Sequence, residues 1–290
     1  KTLSNKIGER EHEVAELQRN FVLTSTLHHP NIASPLVLHS VSKINYCCPS
    51  IKKLLNVRKG DLFFVMEFVR GETLMEWRDK QLKSAIYDAS VEIINKIANA
   101  LDFAHSREIL HRDIKPNNII VYWNCDKQEL DVKVLDFGLA ASLKESLKRL
   151  EYKPHSTEGT LPYMAPEQWK MDTLGVGTDV YALAVLAHQF LYESLPYEAV
   201  FRQGDFHKIY DAVCNGEIQL HEKICPEIET VLRRGLAKKL RDRYYSCGEF
   251  AKEYALAVKA LLTREKRDNE SEWKMAGNIL KHPLVKQLSN

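Results

Sequence analysis

A chain of 290 residues can bury a substantial core, which excludes a peptide-scale scaffold and points to one large domain or two apposed lobes. Its 41 Lys plus Arg against 39 Asp plus Glu leave a net charge of +2, so no global field draws it to nucleic acid or an anionic membrane. A charged ligand must therefore be met by a local site. The six cysteines (Cys47, Cys48, Cys125, Cys214, Cys225, Cys247) show no repeated metal-ligand spacing and read as reduced thiols of a cytoplasmic protein. No secretory signal is visible, and no apolar run is long enough for membrane insertion.

In chain order, residues 9 to 28 read as a helix, because Val14, Leu17, Phe21 and the stretch Thr24 to Leu27 return to one face; His29-Pro30-Asn31 ends it. From Ser34 to Phe68 the pattern is strand-like: Pro35 to Leu38, an insertion around Cys47 to Leu55, then the apolar run Asp61 to Phe68, suited to an inner strand. Gly71 then punctuates the chain. Val91, Ile94, Ile97, Ala98, Leu101 and Ala104 predict a long helix ending near His105. Two short strands, Asn118 to Tyr122 and Asp131 to Leu135, flank a polar turn through Asn124 to Lys127. Helices are expected over 179–192, 225–239 and 249–262. A charged link, Arg264 to Glu270, then leads to a tail whose Trp273, Ala276, Ile279 and Leu280 fit a docking terminal helix. A strand-rich front and a helix-rich back define an α+β protein of two lobes.

The chemistry concentrates in His111-Arg-Asp-Ile-Lys-Pro-Asn-Asn118, between a helix and a strand. A carboxylate, an ammonium and an amide at this spacing suit phosphoryl transfer. Asp113 can accept the proton of an attacking hydroxyl, Lys115 can neutralise phosphoryl oxygens, and Asn118 offers a hard oxygen to Mg2+. Further on, Asp136-Phe-Gly138 supplies a second carboxylate for the same metal, with Gly138 giving the backbone freedom to turn it inward.

On these two segments, in this order, the chain resembles the eukaryotic-type Ser/Thr protein kinases, and the wording of Gly159 to Gln168 resembles their bacterial members. The resemblance implies a kinase-like fold with a small β-rich N-lobe, truncated in this sequence, and a large helical C-lobe. Residues 1–69 would be the partial N-lobe and hinge, 70–262 the C-lobe with catalytic loop and activation segment, and 263–290 a helical tail. It implies ATP and Mg2+ as cofactors, a protein substrate with a Ser or Thr acceptor, and a regulatory partner. Asp113 and Lys115 would be catalytic, and Asn118 and Asp136 would hold the metal. The run Phe64 to Gly71 is similar to the strand and hinge that hold adenine, with Met66 at the back, Glu67 and Val69 bonding through their main chains and Ile120 closing the slot from below. Lys1 falls where the ATP-contacting lysine is expected.

Further matches are Gly159 to Glu167, similar to the end of an activation segment that shapes a peptide groove, with Thr160 beside Lys115 favouring Ser/Thr acceptors. Asp179 resembles the carboxylate that braces the catalytic loop through backbone N–H groups. Arg243 resembles the partner of Glu167 in a buried ion pair. Arg112 is placed to order a phosphorylated segment, with Ser142, Ser146, Ser156 and Thr157 as acceptors. The pattern departs from the family at the front: no Gly-rich loop precedes residue 9, Asn20 stands where the helical glutamate is expected, and Glu16 lies one turn early. Loss of the phosphate clamp would make the chain a pseudokinase scaffold. The intact Asp113, Lys115, Asn118 and Asp136 favour the enzyme, and the peptide-groove segment disfavours a small-molecule kinase.

Overall fold

The structure is a computed structural model that describes Gln18 and residues 21–40, 62–137 and 161–280, with the backbone alone described for 62–64 and 268–280. Lys1, Glu16, Asn20, Cys47, Cys48, the insertion around them, Gly138, the Ser142 to Thr157 acceptors, Gly159 and Thr160 lie outside the described residues.

The first helical segment ends at Thr24, short of the expected residue 28. Ser25 Oγ donates to the Val22 carbonyl (2.8 Å) and Thr26 Oγ1 to that of Leu23 (2.7 Å), so side chains take acceptors that further helix would have used. Strand β1 (Pro35–Ser40) pairs antiparallel with β2 (Leu62–Met66). A second sheet has the order β3-β4-β5, formed by β3 (Glu72–Thr73), β4 (Ile119–Asn124) and β5 (Glu129–Val134). Both strands expected after the His111 to Asn118 segment are present, and the polar turn joins them.

Helix α1 (Leu74–Arg78) follows β3, and α2 (Lys83–His105) begins eight residues before the Val91 expected from apolar spacing. The earlier turns are held by Ile86 and by Ser90, which is buried and bonded to the Tyr254 hydroxyl at 2.8 Å. A polar residue on the buried face hid that extension. After α3 (Pro166–Lys170) comes α4 (Val176–Tyr192), buried around nearly its whole circumference from Gly177 to His188. An all-round apolar helix of this length belongs at the centre of a globule, where its neighbours cover every face. Its first turn starts before the expected Asp179, because the Thr178 hydroxyl accepts from the Gly175 N–H (3.2 Å).

Around α4 pack α2, α7 (Pro226–Gly235) and α8 (Cys247–Leu280), reached through α5 (Glu198–Gln203) and α6 (Phe206–Cys214). Two expectations need correction here. Helix α7 stops at Gly235, not at 239, since the chain must turn there to bring Arg243 inward. The charged stretch from Arg264 is no link: α8 runs unbroken for 34 residues, because Arg, Glu and Lys are good helix formers and neither Pro nor a cap interrupts them. A smaller apolar cluster joins Leu161, Met164 and Trp169 to Tyr197, Phe201 and Ile209, seating the segment before α3 on α5 and α6.

Candidate active site

The segment between α2 and β4 is held from below by one carboxylate. Asp179, in the first turn of α4 and fully buried, accepts the His111 N–H at Oδ2 (2.8 Å) and the Arg112 N–H at Oδ1 (2.7 Å). Burial alone would raise its carboxyl pKa. The His105 imidazole at 2.7 Å and these amide bonds reverse that and hold it below the usual range. The same two carboxylates that flank His105, Asp102 and Asp179, outweigh its burial and raise the imidazole to about 9. Arg112 then turns through the left-handed region (φ 65°), a strained conformation that the two amide bonds and a third, from Gln168 Nε2 to the Arg112 carbonyl (2.9 Å), impose. Arg112 is itself exposed.

Beyond this bend Pro116 opens a single 3-10 turn, Pro116–Asn118, whose fixed φ suits that position. The turn folds Asn118 back on Asp113: Asn118 Nδ2 donates to the Asp113 carbonyl (2.7 Å) and to Oδ2 (3.1 Å). With the amide nitrogen so used, the amide oxygen is the side-chain atom left to serve as a ligand. Lys115 Nζ sits 3.0 and 2.8 Å from the two Asp113 oxygens, so the sequence-predicted ammonium and carboxylate meet directly.

The second predicted carboxylate is stitched alongside. Leu135 N–H donates to the Asn118 carbonyl (2.8 Å), and the His111 ring Nε2 bonds the Leu135 carbonyl (2.8 Å) while its Nδ1 accepts the Asp113 N–H (3.3 Å). Phe137 then packs edge-on against that ring, with centroids 4.5 Å apart. Between Leu135 and Phe137, Asp136 is pinned at φ 61°. Its half-buried carboxylate takes no hydrogen bond or ion pair from the described residues.

The candidate adenine slot lies at the junction of the two sheets. Glu67 N–H extends the β1-β2 pairing to the Ser34 carbonyl (3.0 Å). Among the described residues the Glu67 carbonyl and the Val69 backbone accept and donate nothing, which leaves an acceptor and a donor at the spacing expected of them. Met66 and Ile120 are half-buried, and Ile120 lies opposite Thr73 in the β3-β4 pairing. Gly71 crosses directly above: a Cβ there would stand 2.6 Å from Ile120 Cγ2 and 2.5 Å from the Val121 carbonyl. Sequence reasoning missed Lys133 here. Its ammonium bonds Glu67 Oε2 (2.9 Å) and the Ile32 carbonyl (3.3 Å), and only a spacing of two from Leu135 hinted at its place on β5.

Farther out, Arg243 and Glu167 form the expected buried pair with two bonds of 2.7 and 2.8 Å. The Thr178 hydroxyl adds a third bond to Glu167 (2.8 Å), so the first turn of α3 is fixed to α4. Missed by sequence were His105 and His111, whose ring bonds orient the loop, and Gln168. Lys1, the remaining predicted site residue, lies outside the described residues.

This arrangement of a braced loop, a paired carboxylate and ammonium, and a second, half-buried carboxylate is that of a phosphotransferase of the kinase class. The chain belongs to the protein kinase domain family, whose model matches residues 1–285. It is 33% identical over 230 residues to serine/threonine-protein kinase PknE of Mycobacterium tuberculosis, covering 78% of this chain and 37% of that one. To PknH of the same organism it is 34% identical over 197 residues, 66% of this chain and 29% of that one. The chain thus spans about a third of the length of the curated relatives it matches. The kinase domain of Mycobacterium tuberculosis PknI shares the fold, with a TM-score of 0.56, 20% identity and coverage of 85% of this chain and 80% of that one. Members of this family use ATP and a divalent metal ion and act on proteins.

Proposed function

We propose that the chain is a Ser/Thr protein kinase that transfers the terminal phosphoryl group of ATP to a protein hydroxyl. The observation that carries this reading is Asp136: a half-buried carboxylate in a strained backbone, bonded to no described residue, fixed beside Asp113 and Asn118. An anion held in that way, with no partner among the described residues, suits a cation that arrives with its ligand. The donors on offer, the Asn118 amide oxygen and the Asp136 carboxylate, are hard oxygens and fit Mg2+. Bound there with ATP, the metal would neutralise charge developing on the phosphates.

The residues of the chain then divide the remaining work. Asp113 orients the acceptor hydroxyl and receives its proton. Lys115, already on Asp113, offers its charge to the phosphoryl oxygens in flight. The Glu67 carbonyl and Val69 amide bond the adenine edge, with Met66 and Ile120 as apolar walls, and Lys1 contributes to the phosphates. The acceptor protein lies along the segment that ends at Glu167, seated on the Leu161, Met164 and Trp169 cluster. A cytoplasmic location and a regulatory partner belong to the same reading. No helix among the described residues is long and apolar enough to cross a membrane.

The test is transfer of labelled phosphate from Mg-ATP to Ser and Thr peptides. Asp113→Asn should lower kcat by roughly 10²-fold or more while leaving nucleotide affinity nearly unchanged. Asp136→Asn should weaken metal-dependent nucleotide binding. Equal turnover with Asp113→Asn, or nucleotide binding indifferent to Mg2+, would sink the reading.

A further inference from the structure

Behind the catalytic loop, α2 and α8 meet at the far side of Asp179. Asp102, in the last two turns of α2, accepts the N–H groups of Cys247 and Gly248 at 2.9 Å each, which caps the start of α8. Gly248 permits this approach, since a Cβ there would stand 2.7 Å from Asp102 Oδ2. One turn beyond Asp102, His105 gives its Nε2 to Asp179 at 2.7 Å. Its other nitrogen, Nδ1, is buried with no hydrogen-bond partner among the described residues, in a side chain only 6% exposed. The nearest carboxylate oxygen, Asp102 Oδ1, is 3.7 Å from it, beyond hydrogen-bond range. The wholly buried Cys247 brings a thiol to the same point, so that one donor atom from each of Asp102, His105 and Cys247 lies within 4.8 Å of the other two. Helix capping accounts for Asp102, and the Asp179 contact accounts for Nε2. Asp102 faces Nδ1 at ion-pair distance, but neither role gives that nitrogen a hydrogen bond, and it stands buried between a carboxylate and a thiol.

We propose that Asp102, His105 and Cys247 form a zinc site, separate from the magnesium and nucleotide cleft. A thiolate, an imidazole and one carboxylate make a borderline-soft donor set that suits Zn2+ and not Mg2+ or Ca2+. Asp179 is the outer carboxylate such a histidine commonly has: by accepting from Nε2–H it turns the Nδ1 lone pair toward the metal. The Asp102 side chain is 33% exposed, which leaves that side of the site open to a water as fourth ligand. The charges balance. Zn2+ enters as the Nδ1 proton of the imidazolium and the Cys247 thiol proton leave to solvent, so the cluster keeps the same net charge. The ion would clamp the end of α2 to the start of α8 and, through Asp179, stiffen the two amide bonds that hold His111 and Arg112.

The experiment uses the whole chain, stripped of metal with a chelator and titrated with Zn2+ alone by calorimetry, and with Co2+ as an optical probe. One equivalent should bind, and the cobalt form should show a thiolate-to-metal charge-transfer band. Cys247→Ser should weaken Zn2+ by at least about tenfold and abolish the band, whereas Cys125→Ser and Cys225→Ser should retain both. The cobalt spectrum of the unaltered chain is independent of how any variant folds. The absence of stoichiometric binding, a cobalt spectrum without the thiolate band, or a smaller loss in Cys247→Ser would each overturn the proposal.

Discussion

Lys133 and Glu67, 66 residues apart in sequence, are joined by a 2.9 Å ion pair that runs from the strand preceding Asp136 to the segment following β2. The same Glu67 oxygen accepts the Ser34 N–H at 3.3 Å, and Lys133 also bonds the Ile32 carbonyl at 3.3 Å. One carboxylate and one ammonium therefore set the position of the proposed adenine-binding backbone relative to the proposed metal ligand. Their side chains are 35% and 13% exposed, so solvent screens the pair in part, and its worth is about 1 kcal/mol.

Lys133→Met should accordingly raise the KM for ATP about fivefold and change kcat less, because the backbone groups would be displaced without touching Asp113. Steady-state kinetics over a range of ATP concentrations checks this. Lys133→Arg should restore most of the loss. A fall in kcat at unchanged KM would show that the pair serves chemistry and not nucleotide placement.

Arg243 is wholly enclosed, and its acidic partner among the described residues is Glu167, also buried. Removing the guanidinium leaves a carboxylate in the interior with the Thr178 hydroxyl as its remaining side-chain donor. Arg243→Met is expected to destabilise the fold by about 3–5 kcal/mol, read as a lower urea midpoint. A loss under about 1 kcal/mol would mean that water or a neighbour reaches Glu167.

His188 gives a signed pH dependence. Its Nδ1 bonds the Ser194 carbonyl (2.8 Å) and its Nε2 accepts the His221 N–H (3.0 Å), so the neutral ring is satisfied. Burial, chiefly, lowers its pKa to about 4. A histidine depressed below 6.5 is neutral in the fold and binds a proton more readily once unfolded. Its contribution is intact above about 6.5 and is lost as pH falls toward 4, amounting to roughly 2–3 kcal/mol by pH 4.5. Unfolding free energies at about pH 7 and about pH 4.5 should differ less in His188→Gln than in the unaltered protein. Identical differences would place the acid sensitivity elsewhere.

Gly71→Ala probes the adenine slot from above. The added methyl meets the Val121 carbonyl, a backbone atom that cannot swing aside, as well as Ile120. Overpacking of this kind is expected to lower stability by about 1–3 kcal/mol and to weaken nucleotide binding together with it. Thermal unfolding with and without Mg-ATP measures both. A variant with full nucleotide affinity would show that Ile120 does not line the slot.

Much of the proposed site was legible because its residues are neighbours in sequence. Asp113, Lys115 and Asn118 fall within one loop, and the helix before it and the strand after it each announce themselves by apolar spacing. The partners from afar were not legible. Nothing in the run Asp131 to Leu135 says that Lys133 will find Glu67, because an alternating strand fixes which face a residue takes but not what stands opposite. The same limit hid Asp102, His105 and Cys247, whose ends are 145 residues apart. Helix limits failed for a different reason: Ser90 and the charged turns after Leu262 lack the apolar stripe by which a helix is recognised, yet their backbones pair just as well.

The short parallel contact beside β5 has a mechanical consequence. Val134 N–H donates to the Asn31 carbonyl (2.8 Å) and its carbonyl accepts from Ala33 (2.9 Å), while Asn31 Nδ2 reaches Asp131 at 2.7 Å. The segment leading into β1 is thereby sewn to the larger sheet at one margin. Any widening of the proposed nucleotide cleft would pivot about this seam, like a cover about its spine, with the travel growing toward the opposite margin.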